Sequence, residues 1–289
     1  MTSIGILTDT TAHFPYPKFS GQEHITLIDF TLAFRGNHLG ESRNNKTLDL
    51  PPSLIGWEAN KAPRLIPPSV EDFYQRYILL HQRFSRLLVI THSARLSPTY
   101  ENALQAAEIL HGTSQIAVIN AQTISAGLGL LVQATAQHIV RGLLFDQIEA
   151  IVRRNVPKIY TLICTPSLSY LSHNGLLTHP QAIVGEMLNL LQVFSLEEDH
   201  LVPVEKVRNY RHAAEFFIEF LSEFEELSHV ALIQTASPPL SETYLLRQYI
   251  SESFPSTTFT EHKANPPMSV LFGPRFVCLI AIEAFDPRV

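Results

Sequence analysis

The feature that most constrains the fold of this chain is an alternation of short apolar runs with longer amphipathic segments in its first half. The apolar runs have the length of buried strands. They lie at residues 4–8, 25–33, 87–91 and 116–119. Helical patterns lie at residues 69–84, 99–110 and 127–141. Because strands that alternate with helices over short connections form parallel sheets, the pattern predicts a parallel three-layer α/β/α domain.

The second half has a different pattern. A helix at residues 146–155 and Pro157 mark the join. Beyond it, strand-like runs lie at residues 160–165, 190–196, 230–235 and 276–285, and helical patterns at residues 211–227 and 241–254. Fewer strands here are followed by a helix, so we predict a mixed or antiparallel α/β domain. The predicted domains are residues 1–157 and 158–289.

The composition excludes several classes of protein. The chain has 289 residues, a formal net charge of −6 and no cluster of lysine and arginine, so no nucleic-acid partner is expected. No apolar run is long enough for a transmembrane segment, and the start has no signal-peptide pattern, so we expect a cytoplasmic protein. Cys164 and Cys278 lie inside apolar runs and are expected to be reduced and buried. Neither a metal site nor a cofactor is predicted.

The motifs of common enzyme classes are missing from the sequence. There is no G-x-x-x-x-G-K-[ST] phosphate loop and no G-x-S-x-G segment of an α/β-hydrolase. Asp9 is interpreted as a turn residue that hydrogen-bonds its own loop. His92 and Ser93 are neighbours that point to opposite sides of an extended segment, so they do not form a catalytic dyad by themselves.

Small polar residues follow three strands of the predicted parallel sheet. They lie at residues 8–11, 91–93 and 120–122. Ligands of open parallel sheets bind beyond the carboxyl ends of the strands. The helix predicted to start after Ser97 adds N–H groups that suit a carboxylate or a phosphate. Each group can simply cap a turn, but three groups at one edge of a sheet favour a binding site.

Several segments occur in an order that is typical of one known family. They are Thr-Asp-Thr-Thr-Ala at residues 8–12, Pro-Pro-Ser at residues 67–69 with Phe73 and Tyr74, His-Ser-Ala-Arg-Leu-Ser-Pro-Thr-Tyr at residues 92–100, Val-Ile-Asn at residues 118–120, Gly-Leu-Gly-Leu-Leu at residues 127–131, Leu188 with Asn189, Pro203, Lys-Val-Arg at residues 206–208, and Gly273 with Pro274. In this order they resemble the DegV family of bacterial fatty-acid-binding proteins, and the resemblance covers nearly the whole chain.

The resemblance implies a two-domain DegV-like fold with a fatty acid between the domains. In the family, the acyl tail lies in a closed apolar tunnel, and the carboxylate meets hydroxyl groups and a histidine at the mouth. The resemblance also implies a lipid-binding protein rather than a free-standing enzyme, one that can present its fatty acid to a separate fatty acid kinase.

Some positions depart from the family pattern. The second of two tandem serines is Ala94, and leucines stand where polar residues are expected, at Leu65 (with Ile66 beside it), Leu176 and Leu271. Because a buried carboxylate without partners is costly, these leucines favour an apolar or neutral ligand. Arg275 and Arg95 can restore charge pairing or can remain solvated. The predicted ligand-binding residues are Ser93, His92, Leu65, Ile66, Leu271 and Arg275.

Three hypotheses follow from the sequence. The first is a protein that binds a long-chain fatty acid or other acyl lipid between its domains, with a fatty acid kinase as partner. The second is a divergent relative that binds a different hydrophobic ligand, or has a regulatory or interaction role, without a kinase. The third is an esterase or transferase that uses Ser93, for which the sequence shows neither a base nor a carboxylate to orient it.

Overall fold

The computed structural model describes residues 3–35, 37–41, 49–58, 61–111, 115–235 and 240–285, with the backbone alone for residues 37–41. The strands in this part of the chain are β1 (Ile4–Asp9), β2 (Ile25–Ile28), β3 (Thr31–Phe34), β4 (Asn37–Glu41), β5 (Arg64–Ile66), β6 (Arg86–Thr91), β7 (Gln115–Asn120), β8 (Ile159–Thr165), β9 (Leu191–Glu197), β10 (His200–Val207), β11 (His229–Gln234), β12 (Thr258–Lys263) and β13 (Val277–Ile282). The helices are α1 (Val70–His81), α2 (Thr99–Ile109), α3 (Ala126–Val140), α4 (Phe145–Asn155), α5 (Leu168–His173), α6 (His179–Met187), α7 (Tyr210–Leu221), α8 (Tyr244–Ser253) and α9 (Pro266–Phe272).

The first sheet is parallel, as the alternating pattern predicts. Its strand order is β2-β1-β6-β7, and every neighbouring pair runs in the same direction. Successive residues of a strand face opposite sides of the sheet. Ile4 and Ile6 of β1 therefore pack against one layer of helices, and Leu7 packs against the other.

Helices cover both faces of the first sheet and complete the predicted three layers. Helices α1 and α2 bury Phe73, Tyr77 and Ala103 on one face, and α3 and α4 cover the opposite face. Helix α1 begins with a capping box, because the Ser69 hydroxyl accepts from the Asp72 N–H and the Asp72 carboxylate accepts from the Ser69 N–H.

The second sheet is mixed, which confirms the prediction for this half. Its order is β10-β9-β8-β13-β11-β12. The pair of β11 with β12 is parallel and the other pairs are antiparallel. Helices α7 and α8 bury one face of this sheet.

One apolar cluster joins the two halves. Helix α3 contacts β1 and β6 of the first sheet and β8 and β13 of the second. The cluster therefore contains residues from both predicted domains, among them Ile90, Leu128 and Ile280. The boundary near residue 157 stays a prediction.

Some elements differ from the expectations. Residues 25–33 form two strands, since β2 ends at Ile28 and β3 begins at Thr31. Strand β3 pairs with β4 and β5 in a small antiparallel sheet, so the chain between residues 36 and 63 contains a strand that is not among the predicted runs. Strands β10 and β12 are largely exposed edge strands, and they lack the apolar pattern by which buried strands are recognised.

Candidate functional site

A cavity of about 460 Å³ lies between helix α6 and strands β9 and β10. Its wall is mainly apolar, with Leu168, Leu177, Val184, Leu188 and Phe194 among the side chains that form it. The polar side chains of the wall are Gln181, Gln192 and Lys206. The volume and the apolar lining are those of a site for a small hydrophobic molecule.

Helix α6 forms the outer wall of this cavity. Val184 and Leu188 line the cavity and are also 58% and 57% exposed, so the cavity reaches the protein surface beside the helix. Gly185 brings α6 close to α5, because a Cβ atom at this position would lie 2.2 Å from the Leu168 Cδ1 atom. A side chain added at Gly185 would therefore compete for the space of the cavity.

Glu186 anchors helix α6 to its surroundings. Its carboxylate accepts a hydrogen bond from the Ser169 N–H at 2.6 Å and another from the Ser53 hydroxyl. The segment that contains Ser53 is held to α5 by further bonds, from the Leu54 N–H to the Ser169 hydroxyl and from the Tyr170 hydroxyl to the Pro51 carbonyl. The cavity wall is thus connected to the first half of the chain.

A second polar region lies at the carboxyl ends of the first sheet, where the sequence predicts a site. Asp9 ends β1 and is fully buried. One carboxylate oxygen accepts from the N–H and the hydroxyl of Thr11, and the other accepts from the backbone N–H and Nδ1 of His92. Burial would raise the pKa of Asp9, but the charge and hydrogen bonds of His92 and the bonds of Thr11 hold that pKa below its ordinary value.

His92 connects Asp9 to Ser97. Its Nδ1 atom lies 3.0 Å from an Asp9 oxygen, and its Nε2 atom lies 2.9 Å from the Ser97 hydroxyl oxygen. The imidazole is fully buried and packs beside the ring of Phe30, with ring centroids 5.6 Å apart. The sequence analysis found no carboxylate that could orient His92, and the structure provides one in Asp9.

Ser93 has a different partner. Its hydroxyl donates to the Asp199 carboxylate at 2.5 Å, and Asn120 Nδ2 donates to the other oxygen at 2.9 Å. Asp199 lies in the tight turn between β9 and β10, where Glu198 and Asp199 both have positive φ. A carboxylate from the second half is therefore bound at the polar edge of the first sheet.

No group of histidine, cysteine and acidic side chains that could hold a metal ion occurs in the described residues. No described helix is both long enough and apolar enough to cross a membrane.

Comparison with known proteins identifies the family. The family model described as "Uncharacterised protein, DegV family" matches residues 3–284. The chain belongs to the DegV family. A DegV relative named "Fatty acid-binding protein", from Thermotoga maritima, is 28% identical over 228 residues, which are 76% of each chain.

Solved DegV structures share the fold of this chain. A fatty acid binding DegV family protein from Streptococcus agalactiae superposes with a TM-score of 0.83 at 20% identity, over 98% of this chain and 100% of that one. The Fatty Acid Kinase (Fak) B3 protein of Streptococcus pneumoniae, loaded with linoleic acid, superposes with a TM-score of 0.80 at 17% identity, over the same shares. Two of these three relatives are named for fatty acid binding, and the third is named for a fatty acid kinase. The two superpositions confirm the predicted fold class.

The leucines at the expected head-group positions of this DegV chain lie in one apolar cluster. Leu271 is a buried member of the cluster that joins the two halves, and Leu65 and Leu176 are partly buried against it. Leu168 and Phe194 of the cavity wall belong to the same cluster. The leucines therefore belong to the apolar cluster that also contributes to the cavity wall, although they do not line the cavity themselves.

Two predicted site residues lie elsewhere. Ile66 ends β5 and is 37% exposed. Arg275 is exposed, and its carbonyl accepts from the hydroxyl of Tyr210, which starts α7 on the opposite face of the second sheet. No described contact connects either side chain to the cavity or to the Asp9 network. Their role in binding stays a prediction.

Sequence reasoning missed the residues that form the cavity wall, and it missed Asp199. Val184, Met187 and Leu188 recur at helical spacing on one side of α6 and are exposed, so the apolar pattern of this helix does not mark a buried face. Asp199 lies 106 residues from its partner Ser93, and no local pattern marks a contact of that kind.

Proposed function

We propose that this protein binds a fatty acid or a related acyl lipid, with the acyl chain in the cavity beneath α6. The observation that carries the proposal is an apolar cavity of about 460 Å³ in a chain of the DegV family. At roughly 30 Å³ for a group the size of a water molecule, this volume holds about 15 such groups, which is the size of a long acyl chain. Apolar walls with few polar groups suit a molecule of that kind.

We further propose that the polar end of the ligand meets the edge of the first sheet. The residues proposed for this end are Ser93, His92, Leu65, Ile66, Leu271 and Arg275. Ser93 offers a hydroxyl, and Leu65 and Leu271 share an apolar cluster with the cavity residues Leu168 and Phe194. An ionised acid that reached Ser93 would have to replace the carboxylate of Asp199.

Displacement of a fluorescent fatty acid tests binding in the cavity. We expect the unlabelled fatty acid to compete in the wild type. Gly185→Leu should weaken binding at least tenfold, because the new side chain points at Leu168 and occupies the cavity. The control is Met187→Phe, a change of bulk on the same helix at a side chain that is 74% exposed. Equal affinity in both variants would place the ligand somewhere other than this cavity.

The partner we propose is a fatty acid kinase. Support comes from the Streptococcus pneumoniae protein of the same fold, which is named for such a kinase and carries linoleic acid. A binding protein would hold the acyl chain while a separate enzyme transfers phosphate to the carboxylate. Incubation with fatty acid, ATP and a bacterial fatty acid kinase should give acyl phosphate, and Gly185→Leu should reduce it. If the kinase alone formed acyl phosphate at the same rate, the proposal that this protein presents the fatty acid to the kinase would be wrong.

A second candidate is a DegV protein whose ligand is neutral or is a different hydrophobic molecule, without a kinase. The observation that favours it is the pairing of Ser93 with Asp199, next to leucines where polar groups are expected. A neutral head group would not be repelled by the Asp199 carboxylate. Under this alternative, a fatty alcohol competes at least as well as the fatty acid of equal length. Tighter binding of the acid by the wild type would eliminate it.

We propose the cytoplasm as the location of the protein. Cys164 and Cys278 are both free and buried, as expected for thiols in a reducing compartment. An ATP-dependent partner would also be found there. Fractionation of cells that express the tagged protein should recover it with cytoplasmic markers, and recovery from the exterior would contradict this location.

A further inference from the structure

Asp9, His92 and Ser97 form a continuous hydrogen-bonded chain. The Asp9 carboxylate lies 3.0 Å from His92 Nδ1, and His92 Nε2 lies 2.9 Å from the Ser97 oxygen. A hydroxyl, an imidazole and a carboxylate in this order, at hydrogen-bond distances, are the arrangement that activates a serine for nucleophilic attack. The proposed ligand contact involves His92, but it does not involve the link of His92 to Asp9 and Ser97.

The contacts of His92 fix which ring nitrogen faces each partner. In the neutral tautomer with the proton on Nδ1, the Nδ1–H donates to the Asp9 carboxylate and Nε2 accepts from the Ser97 hydroxyl. Two bonds from Thr11 hold the other oxygen of Asp9 in place. The imidazole is therefore fixed in orientation by a carboxylate that is itself fixed.

The exposure of the three side chains follows the order of their roles. Asp9 and His92 are fully buried, whereas Ser97 is partly buried. Pro98 separates Ser97 from helix α2, whose first helical residue is Thr99, and the Thr99 N–H donates to the Ser97 oxygen at 3.4 Å. N–H groups in the first turn of a helix can stabilise negative charge that develops next to them.

Ser93 does not have these properties. Its hydroxyl donates to Asp199, and no histidine contacts it in the described part of the chain. Ser93, which follows His92 in the sequence, is therefore hydrogen-bonded to a carboxylate. The serine that contacts the imidazole of His92 is Ser97.

We propose that Ser97 is a nucleophile that takes the acyl group from an ester or thioester of a fatty acid. The choice of acyl donor rests on the proposed function. The Ser97 oxygen bonds to the acyl carbonyl carbon and its proton passes to His92 Nε2. The bond from this carbon to the leaving oxygen or sulfur then breaks, and the leaving group takes the proton from His92.

Water completes the reaction. It attacks the acyl-serine, gives one proton to His92, and the Ser97 oxygen recovers that proton as the carbon–oxygen bond breaks. The products are the free fatty acid and an alcohol or thiol. A protein that binds fatty acids would in this way generate its own cargo from an activated donor.

Labelling with a long-chain alkyl fluorophosphonate tests the proposal. We expect one adduct per folded chain, located by peptide mass spectrometry at Ser97. His92→Gln should lower the labelling rate about 100-fold or more, because it removes the base. Asp9→Asn should also lower it, because the imidazole loses the acceptor that fixes its orientation. The control Ser69→Ala removes the cap of the neighbouring helix α1, where the serine has no histidine partner, and should label as the wild type does.

A second readout follows turnover. A long-chain p-nitrophenyl ester should release close to one equivalent of nitrophenolate in a burst, and Ser97→Ala should abolish the burst. Should the His92 variant fail to fold, the comparison of the wild type with Ser97→Ala decides: the adduct must form in the wild type and be lost in the variant. No adduct at Ser97 in folded wild type, or an unchanged labelling rate in folded His92→Gln, overturns the proposal. Fluorescent fatty acid displacement on the same samples separates the two ideas, because binding without labelling refutes only the nucleophile, and labelling without binding refutes only the cargo.

Discussion

Asp9 is the residue on which the polar edge of the first sheet depends. It is a fully buried carboxylate with four hydrogen bonds, two from Thr11 and two from His92. A buried charge is tolerated only when it is paired and its oxygens are satisfied. Its removal leaves the donors of Thr11 and His92 buried without an acceptor.

We therefore predict that Asp9→Ala lowers the free energy of unfolding by about 3 kcal/mol, as expected when one partner of a buried charged pair is lost. Urea denaturation of wild type and variant measures the change. Asp72→Ala is the control, since Asp72 is an exposed capping residue whose loss should cost about 1 kcal/mol. Equal losses in the two variants would show that the network around Asp9 does not stabilise the fold.

Gly129 is a second residue of this kind, because its position leaves no room for a side chain. It lies inside α3, where alanine normally stabilises a helix. A Cβ atom here would lie 1.8 Å from the carbonyl oxygen of His13, which is backbone and cannot rotate away.

Gly129→Ala is expected to destabilise the protein by about 2 kcal/mol, within the range for overpacking in a core. Thermal unfolding tests this. Gly142→Ala, just past the same helix, meets no atom within 4 Å and should cost only the strain of its positive φ of 81°. If Gly129→Ala proved as stable as the wild type, the close approach of α3 to the segment at His13 would be wrong.

The residue level also shows what a sequence can predict. Asp9, His92 and Ser93 could be placed at one edge because parallel strands end on the same side of a sheet. The contact of Asp9 with His92 could not, since the two residues are 83 positions apart and meet only through the pairing of β1 with β6. The same holds for Asp199, because its position depends on how the β9–β10 hairpin packs against the first sheet.

At the level of elements, α6 differs from the helices of the first half. Helices α1 and α3 bury a regular set of side chains, whereas Ala182 is the one buried residue of α6. Val184 and Met187 of α6, and Leu188 just after its end, are more than half exposed. A helix with so few buried contacts depends on specific anchors, and Glu186 is the anchor seen here.

Glu186→Ala is expected to loosen α6 while leaving the sheets intact. Hydrogen exchange in residues 179–187 should become about tenfold faster, and a bound fluorescent fatty acid should dissociate faster. Glu215→Ala, at an exposed position on α7, is the control because its carboxylate contacts only Arg211 in the described structure. Unchanged exchange in α6 would mean that Glu186 does not hold the helix in place.

The elements that the sequence predicts are those with a one-sided apolar pattern or a defined cap. Helix α1 has both, with a cap formed by Ser69 and Asp72 and a buried apolar face. Strand β10 has neither, because it is an edge strand with Pro203 inside it and is fixed by its pairing with β9. Pairing of this kind depends on the neighbouring strand and cannot be read from one segment alone.

At the level of the whole molecule, the two halves meet through polar as well as apolar contacts. Asn265 donates to the carbonyls of Thr10 and Thr11, which follow β1. The ring of His13, from the first half, lies 4.3 Å from the ring of His262, from the second. Burial lowers the pKa of His229 to about 4, and burial with the nearby His13 and His229 lowers that of His262 to about 4.

From the lowered pKa values of His229 and His262, we predict that the free energy of unfolding decreases in mild acid. Their pKa values are lower in the folded chain than the ordinary value of 6.5, so the unfolded chain binds protons first as the pH falls. The contribution is complete above about pH 6.5 and is lost between there and about pH 4, at up to about 1.4 kcal/mol per pH unit for each group.

Urea midpoints measured from pH 7 to pH 4.5 should therefore fall, and His262→Gln should make the fall less steep. His173→Gln, the same change at the last residue of α5, is the control and should keep the slope of the wild type. A midpoint that does not change over this range would contradict the description of the contact between the halves.

The central claim is that the protein holds one acyl lipid in the cavity beneath α6. Extraction of natively purified protein, followed by mass spectrometry of the organic phase, measures this most directly. We expect close to one acyl lipid per chain in the wild type and a strong reduction in Gly185→Leu. A wild-type protein that yields no acyl lipid, even after incubation with excess fatty acid, would contradict it.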